Sequence, residues 1–220
     1  MTESEQERLQ RLLTEHIPGW NDPENVKKRQ DRDDELARIH RKRRESEAPY
    51  VQLLRDRGFV LESVWDLVQV RGALDLTNAL DILLEVVQDE SVDEVVRSGA
   101  GRAMGTKAGH SVYDELVSLL RHYGEGQVGQ GLAAAIADLS VADGDLPLLI
   151  ELLNDEHLGE ERLFFIERIA KLRPKEKAEA AIVAALADDE LELEAAKALK
   201  KTFGYSRAEV VQAQKTGKPR

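Results

Sequence analysis

The side chains able to do chemistry are scattered along this chain. Its 220 residues hold five histidines, 42 Asp and Glu, and no cysteine. Without cysteine there is no disulfide framework, no thiolate metal site and no cysteine nucleophile. No two of His16, His40, His110, His122 and His157 are four residues apart, the spacing that puts two ligands on one helical face. Each reads as a surface histidine, so neither a metal site nor a cofactor is expected. Gly101-Arg-Ala-Met-Gly105-Thr106-Lys107 has the composition of a phosphate-binding loop but not its order. Three residues separate the glycines instead of four, Thr precedes Lys, and the stretch follows a helix rather than a strand. Its glycines are better suited to close helix packing and to ending a helix. Ser98, in Arg-Ser-Gly-Ala-Gly, lacks the spacing of a nucleophile elbow. Carboxylates are so abundant that pairs arise by chance, and no general acid or base can be named among them without a pocket. No catalytic residue is expected.

The elements that must position these groups are helices. Leu80, Leu83, Leu84 and Val87 fall on one helical face, with Asp81, Glu85 and Gln88 opposite. Asp89-Glu90-Ser91 interrupts, and Ser91 or Glu90 can cap a second helix whose stripe is Val92, Val95, Val96, Gly99, Ala100 and Ala103. Small residues on that helix let a neighbour approach closely. The pattern recurs. Val96-Arg97…Ala100…Ala103-Met104 returns as Val128-Gly129…Leu132…Ala135-Ile136 and as Glu161-Arg162…Phe165…Arg168-Ile169. First helices recur at Asp114–Leu120, Leu146–Leu153 and Ala180–Leu186, and Leu193, Ala196 and Leu199 close the last pair. Two such helices cannot cover their own apolar faces and need another pair alongside. The expected fold is all-α, an α-α superhelix of about four helical pairs behind a helical N-terminal cap.

The pattern is similar to the HEAT-repeat family, especially its short bacterial form. In that form a first helix ends in Leu-Leu, and Asp, Val-Arg and an Ala-rich second helix follow. Residues 77 to 104 match well. Later copies depart: Gly129 replaces the Arg, the third copy has aromatics for Ala, and Glu194 stands near the Arg position of the fourth. A leader similar to that of HEAT-like proteins precedes the repeats, with Gly58-Phe59, then Glu62-Ser63 and Asp66-Leu67; such a leader would cap the open end of the stack. The resemblance implies a solenoid whose second helices line its inner curve. Glu94, Ser98, Gln127, Gln130, Glu161 and Phe164 would then present the outward polar surface. Arg97 and Arg162 would lie inside, each paired with an acid of the adjoining hairpin. The scaffold hosts many functions. Some relatives excise alkylated bases from DNA, a role for which Trp65 and Asp66 are the nearest candidates, and others act on bilin pigments.

Charge divides the chain. Residues 74–199 carry 11 Lys and Arg against 26 Asp and Glu, a net of −15; residues 1–48 carry 11 against 12, and residues 200–220 six against one. An acidic body repels a phosphate backbone, so nucleic acid is not the expected partner; a protein with a basic surface, or plain solubility, accounts for the charge better. The expected divisions are a charged helical arm at 1–47, a helical cap at 48–73, repeats at 74–204, and a C-terminal helix and basic tail at 205–220. The arm holds a short helix over 3–15, then Trp20 between turn signals as a hydrophobic lid or partner anchor. A long helix follows, capped by Asp22 or Asn21, and Pro49 begins the next. Ser206 can cap a helix over Arg207–Gln214, after which Lys215 to Arg220 is expected to be disordered. The first seventeen residues lack the apolar stretch of a signal peptide, and apolar runs such as Leu132–Ala137 are far too short to span a bilayer. Cytoplasmic placement is therefore expected. The functional expectation is a non-enzymatic protein-binding module, an adaptor or an immunity- or antitoxin-like protein. The alternatives are a HEAT-like enzyme on alkylated DNA or bilin, or an assembly component.

Overall fold

The computed structural model describes residues 5–70 and 72–220. Residues 3 and 4 of the first expected helix and the side chain of His16 lie outside the described residues. Among the described residues the protein is all-helical, with no strand. Twelve α-helices follow in order: α1 Glu5–His16, α2 Pro23–Asp56, α3 Trp65–Gln69, α4 Leu80–Gln88, α5 Glu94–Ala103, α6 Tyr113–Tyr123, α7 Gln127–Leu139, α8 Leu146–Leu153, α9 Leu163–Lys171, α10 Lys175–Ala184, α11 Glu192–Phe203 and α12 Arg207–Thr216. No helix among the described residues is long and apolar enough to cross a membrane. The chain forms two compact units, Met1–Glu45 and Ser46–Arg220.

In the first unit, Asp22 settles the choice of cap. Its Oδ1 accepts from the Glu24 N–H at 2.9 Å, with Pro23 at the first helical position. Local charge pairs such as Lys28–Glu24 at 2.7 Å and Arg38–Glu35 at 2.7 Å support the helix, while Val26 and Leu36 remain exposed.

Pro49 does not begin a helix, contrary to the sequence expectation; it sits inside α2. A proline there removes one backbone hydrogen bond. The helix continues because the residues around it are anchored in the second unit. Tyr50, Val51 and Leu54 are buried, the Tyr50 hydroxyl donates to Asp89 Oδ2 at 2.8 Å, and buried Glu47 accepts from Ser63 Oγ at 3.0 Å and Val64 N–H at 2.9 Å.

The second unit is built from successive helix pairs: α4 with α5, α6 with α7, α8 with α9, and α10 with α11. The second helix of each pair also packs on the next second helix, α5 on α7, α7 on α9, α9 on α11. One continuous apolar core runs through all of them, including Leu83, Met104, Leu120, Leu132, Ile136, Leu149, Phe165 and Leu199. The cap of α5 is Asp93, whose side chain accepts from Val95 N–H at 3.0 Å, rather than Ser91 or Glu90. Ser91 instead donates through its N–H and hydroxyl to Asp89 Oδ1. Ser206 caps α12 in a reciprocal box with Glu209. At the end of the chain expected to be disordered, Arg220 donates from its N–H to the Tyr205 hydroxyl at 3.0 Å and from its guanidinium to Phe203 O at 2.6 Å.

The tightest contact is that of α5 with α7. A Cβ on Gly131 would lie 2.1 Å from the carbonyl oxygen of Ser98, and one on Gly101 would lie 3.3 Å from the backbone of Gly131. Gly105 continues the seam against Ala135 at 3.1 Å. The glycines of the Gly101–Lys107 stretch thus serve helix packing. A methyl at Gly131 would have to push two backbones apart, an overpacking cost of about 2–3 kcal/mol. Gly131→Ala is therefore expected to lower the urea midpoint clearly. Gly144→Ala, where a Cβ meets nothing within 4 Å, should leave it within error.

Candidate functional site

The loops that join the pairs fix the chemistry of the second unit. The turn after α6 contains Gly124 and Gly126 at positive φ, 63° and 129°, and the stretch before α9 contains Gly159 at 49°. The two segments interlock. Glu125 N–H donates to His157 O at 3.1 Å, and Gly126 N–H donates to Glu161 Oε1 at 3.1 Å. A side chain at Gly124 would strike the His157 ring, and one at Gly159 would strike the Glu125 carboxylate. Glycine is required there for conformation and for space. Glu161 therefore precedes α9 in a 3-10 turn after the kink at Gly159, not on the face of the α-helix its spacing suggested.

Arg162 carries the lock onward. It is 5% exposed, and its guanidinium donates to Gly159 O at 2.8 Å, Asp188 Oδ2 at 2.6 Å and Glu190 Oε2 at 2.6 Å. The pairing expected with an acid of the adjoining hairpin is found here. Arg97 is also buried, but it has no such acid. Its Nε donates to Val87 O at 2.8 Å, its guanidinium lies 4.8 Å from the Tyr123 ring centroid, and Nη2 is left without a partner.

A groove of about 580 Å³ opens across the start of α9, α11 and the first turn of α7. Gln130, Glu161 and Phe164, three residues expected on the outward surface, meet there. Leu163, Ile166 and Ala198 supply apolar lining, and Glu160, Glu167 and Glu194 supply carboxylates. Two of these carboxylates have partners. Glu194 holds Lys197 at 2.6 Å, and Glu167 accepts from Lys171 at 3.1 Å and Lys201 at 3.2 Å. Those lysines keep the Glu167 carboxyl below its ordinary pKa.

Glu161 is the opposite case. It is 5% exposed, Oε2 has no hydrogen-bond partner, and burial, reinforced by the neighbouring Glu125 and Glu160 charges, pushes its pKa up. The Gly126 N–H opposes that shift only in part.

The remaining expected residues are distributed otherwise. Glu94 and Gln127 are exposed and do not line the groove. Ser98 is not on the outward surface: it is 4% exposed, because α7 presses on it through Gly131. Trp20 lies in the first unit, where the Arg29 guanidinium sits 3.9 Å from its ring centroid and donates to its carbonyl oxygen at 2.5 Å. Trp65 and Asp66 both serve structure. The indole N–H donates to Val95 O at 3.0 Å with the ring against Gly99, and Asp66 Oδ2 accepts from the Glu62 and Ser63 N–H groups at 2.7 and 3.0 Å.

Glu194 and Lys197 were missed in the sequence, though a signal existed. They stand 33 residues after Glu161 and Phe164, the repeat spacing itself. The groove also has a neighbour of mixed charge. An adjoining depression shares Phe164 and Glu167 but adds Arg102, Arg168 and Lys171, so this face is less uniformly acidic than the sequence totals imply. Among the described residues, no three His, Asp or Glu converge as a metal-binding group.

No protein-family model matches the chain, and no curated protein or solved structure matches it.

The buried charge has a testable consequence. With its pKa raised in the folded state, Glu161 binds its proton more readily there than in the unfolded chain. Stability therefore falls as pH rises from the ordinary carboxylate pKa through the raised one. Glu161→Gln is expected to raise the melting temperature at pH 7 by roughly 2 °C and to change it little near pH 3.5, where both states are protonated. Thermal melts of both proteins across that range check the sign.

Proposed function

We propose that this protein is a non-enzymatic protein-binding module, a HEAT-like α-solenoid whose groove across α7, α9 and α11 receives a basic segment of another protein. The observation that carries the reading is the groove itself. Gln130, Glu161 and Phe164 meet over an apolar lining, and two of its carboxylates, Glu160 and Glu161, have no cation beside them among the described residues. An aromatic and aliphatic lining with a few directed polar groups is the usual make-up of a binding cleft. The excess of carboxylates over cations sets the sign of the partner. The −15 balance of residues 74–199 extends the same attraction beyond the groove and would speed encounter with a basic surface. An adaptor, or an immunity- or antitoxin-like protein that occupies a basic client, fits this reading. Helix pairs that shelter one another's apolar sides also fit a solenoid, which leaves a long surface for the purpose.

The test is a panel of fluorescein-labelled peptides, basic, neutral and acidic, titrated with the full chain at several salt concentrations. Basic peptides are expected to bind, with affinity falling as salt rises. Glu160→Lys, which reverses an exposed groove charge, is expected to weaken them about tenfold, a change of about 1.4 kcal/mol. Recovery of acidic peptides alone, or affinity indifferent to salt and to Glu160→Lys, overturns the proposal.

A further inference from the structure

We infer that Glu161 is the base of a lysine subsite: the groove accepts the primary ammonium of a partner's lysine side chain at this carboxylate, with the methylene stem lying along Phe164. The inference rests on the reading of the groove as the site for a basic segment, and it names which residue of that segment is recognised and where.

Three observations support it. The first is the unmatched acceptor. Buried carboxylate oxygens almost always have a hydrogen-bond partner. Here Oε1 is held by the Gly126 N–H at 3.1 Å, while Oε2 has none although the residue is only 5% exposed. The second is that the protein's own nearby cations are engaged elsewhere. Lys197 is on Glu194 and Lys201 is on Glu167. Arg162, the next residue, directs its guanidinium to Gly159, Asp188 and Glu190. The third is shape. Glu161 lines a groove of about 580 Å³ beside the half-buried Phe164 ring and Leu163, which is room for an extended four-carbon stem against apolar surface.

The same geometry favours lysine over arginine. A guanidinium is best matched by two carboxylate oxygens in one plane, and one oxygen of Glu161 is already held by a backbone N–H. An ammonium is a compact charge with three rotatable donors. One can meet Oε2 once the side chains that cover that oxygen in the free protein give way, leaving the others for Gln130 and Glu160 in the groove lining.

The experiment is an amide-shift titration of the full chain with three peptides of sequence X-Ala-X-Ala-X, where X is lysine, arginine or Nε-acetyl-lysine. The reporter is the Gly126 amide, which is bonded to Glu161. The lysine peptide is expected to move that resonance and to bind about tenfold more tightly than the acetylated one, and more tightly than the arginine one. Glu161→Gln is expected to weaken lysine binding about tenfold and to erase the preference over arginine. Glu115→Gln, on α6 outside the groove, should change neither. If the lysine and arginine peptides bind alike, or Gly126 stays unmoved while the lysine peptide binds, the subsite is wrong although the groove stands. If none of the peptides binds, the reading of the groove falls with it.

Discussion

The second unit depends on backbone-to-backbone approach between second helices, closest where α7 meets α5. Neither helix pair could bury its own apolar side, because two amphipathic helices in contact still leave one face of each uncovered. Removing the side chain at Gly131 lets that approach reach the Ser98 carbonyl, and Gly101 and Gly105 extend the seam against Leu132 and Ala135. Close approach makes the packing specific. A seam of glycine and alanine admits a neighbour in one register only, since a shift along the axis would set a larger side chain against backbone.

Register is then handed on by polar groups in the loops. Gly126 to Glu161 joins the second pair to the third, and Arg162 to Asp188 and Glu190 joins the third to the fourth. Such bonds contribute little net stability once desolvation is counted, but each has a geometry that a slipped stack would break. Arg162 is well compensated by three acceptors. Glu161 is compensated at one oxygen only. A fold that satisfies one buried charge fully and leaves its neighbour half satisfied carries a local conflict, and conflicts of this kind concentrate where a protein meets something else. The proposed role of Glu161 grows from that contrast rather than from its charge alone.

Charge totals and charge placement led in different directions. The net of −15 over residues 74–199 suggests a uniformly acidic wall. Yet lysines neutralise Glu167 and Glu194, and the depression beside the groove gathers Arg102, Arg168 and Lys171. A partner that follows this face would meet an acidic stretch and a stretch of mixed charge joined at Phe164, so complementarity here is a matter of order along a segment as well as of sign.

The sequence by itself determined the helical class, the pairing of helices and most of the core, because a stripe such as Leu80, Leu83 and Val87 can be sheltered only by a neighbour of the same kind. It also placed the cap at Ser206 and narrowed the cap of α2 to Asp22 or Asn21, where a short oxygen-bearing side chain stands before a helix. It could not place Ser98 or Glu161. Outward spacing on an isolated helix says nothing of a second helix close enough to cover Ser98, and the kink at Gly159 puts Glu161 in a 3-10 turn ahead of α9. Nor could it carry α2 through Pro49, since the burial of Tyr50 and Leu54 that outweighs one lost hydrogen bond involves side chains far along the chain. Only the tertiary structure decided that Gln130, Glu161, Phe164 and Glu194 share one groove. They come from separate turns and helices, and their meeting depends on how far each pair is rotated against the last, a quantity set by the packing of small residues and by no local pattern.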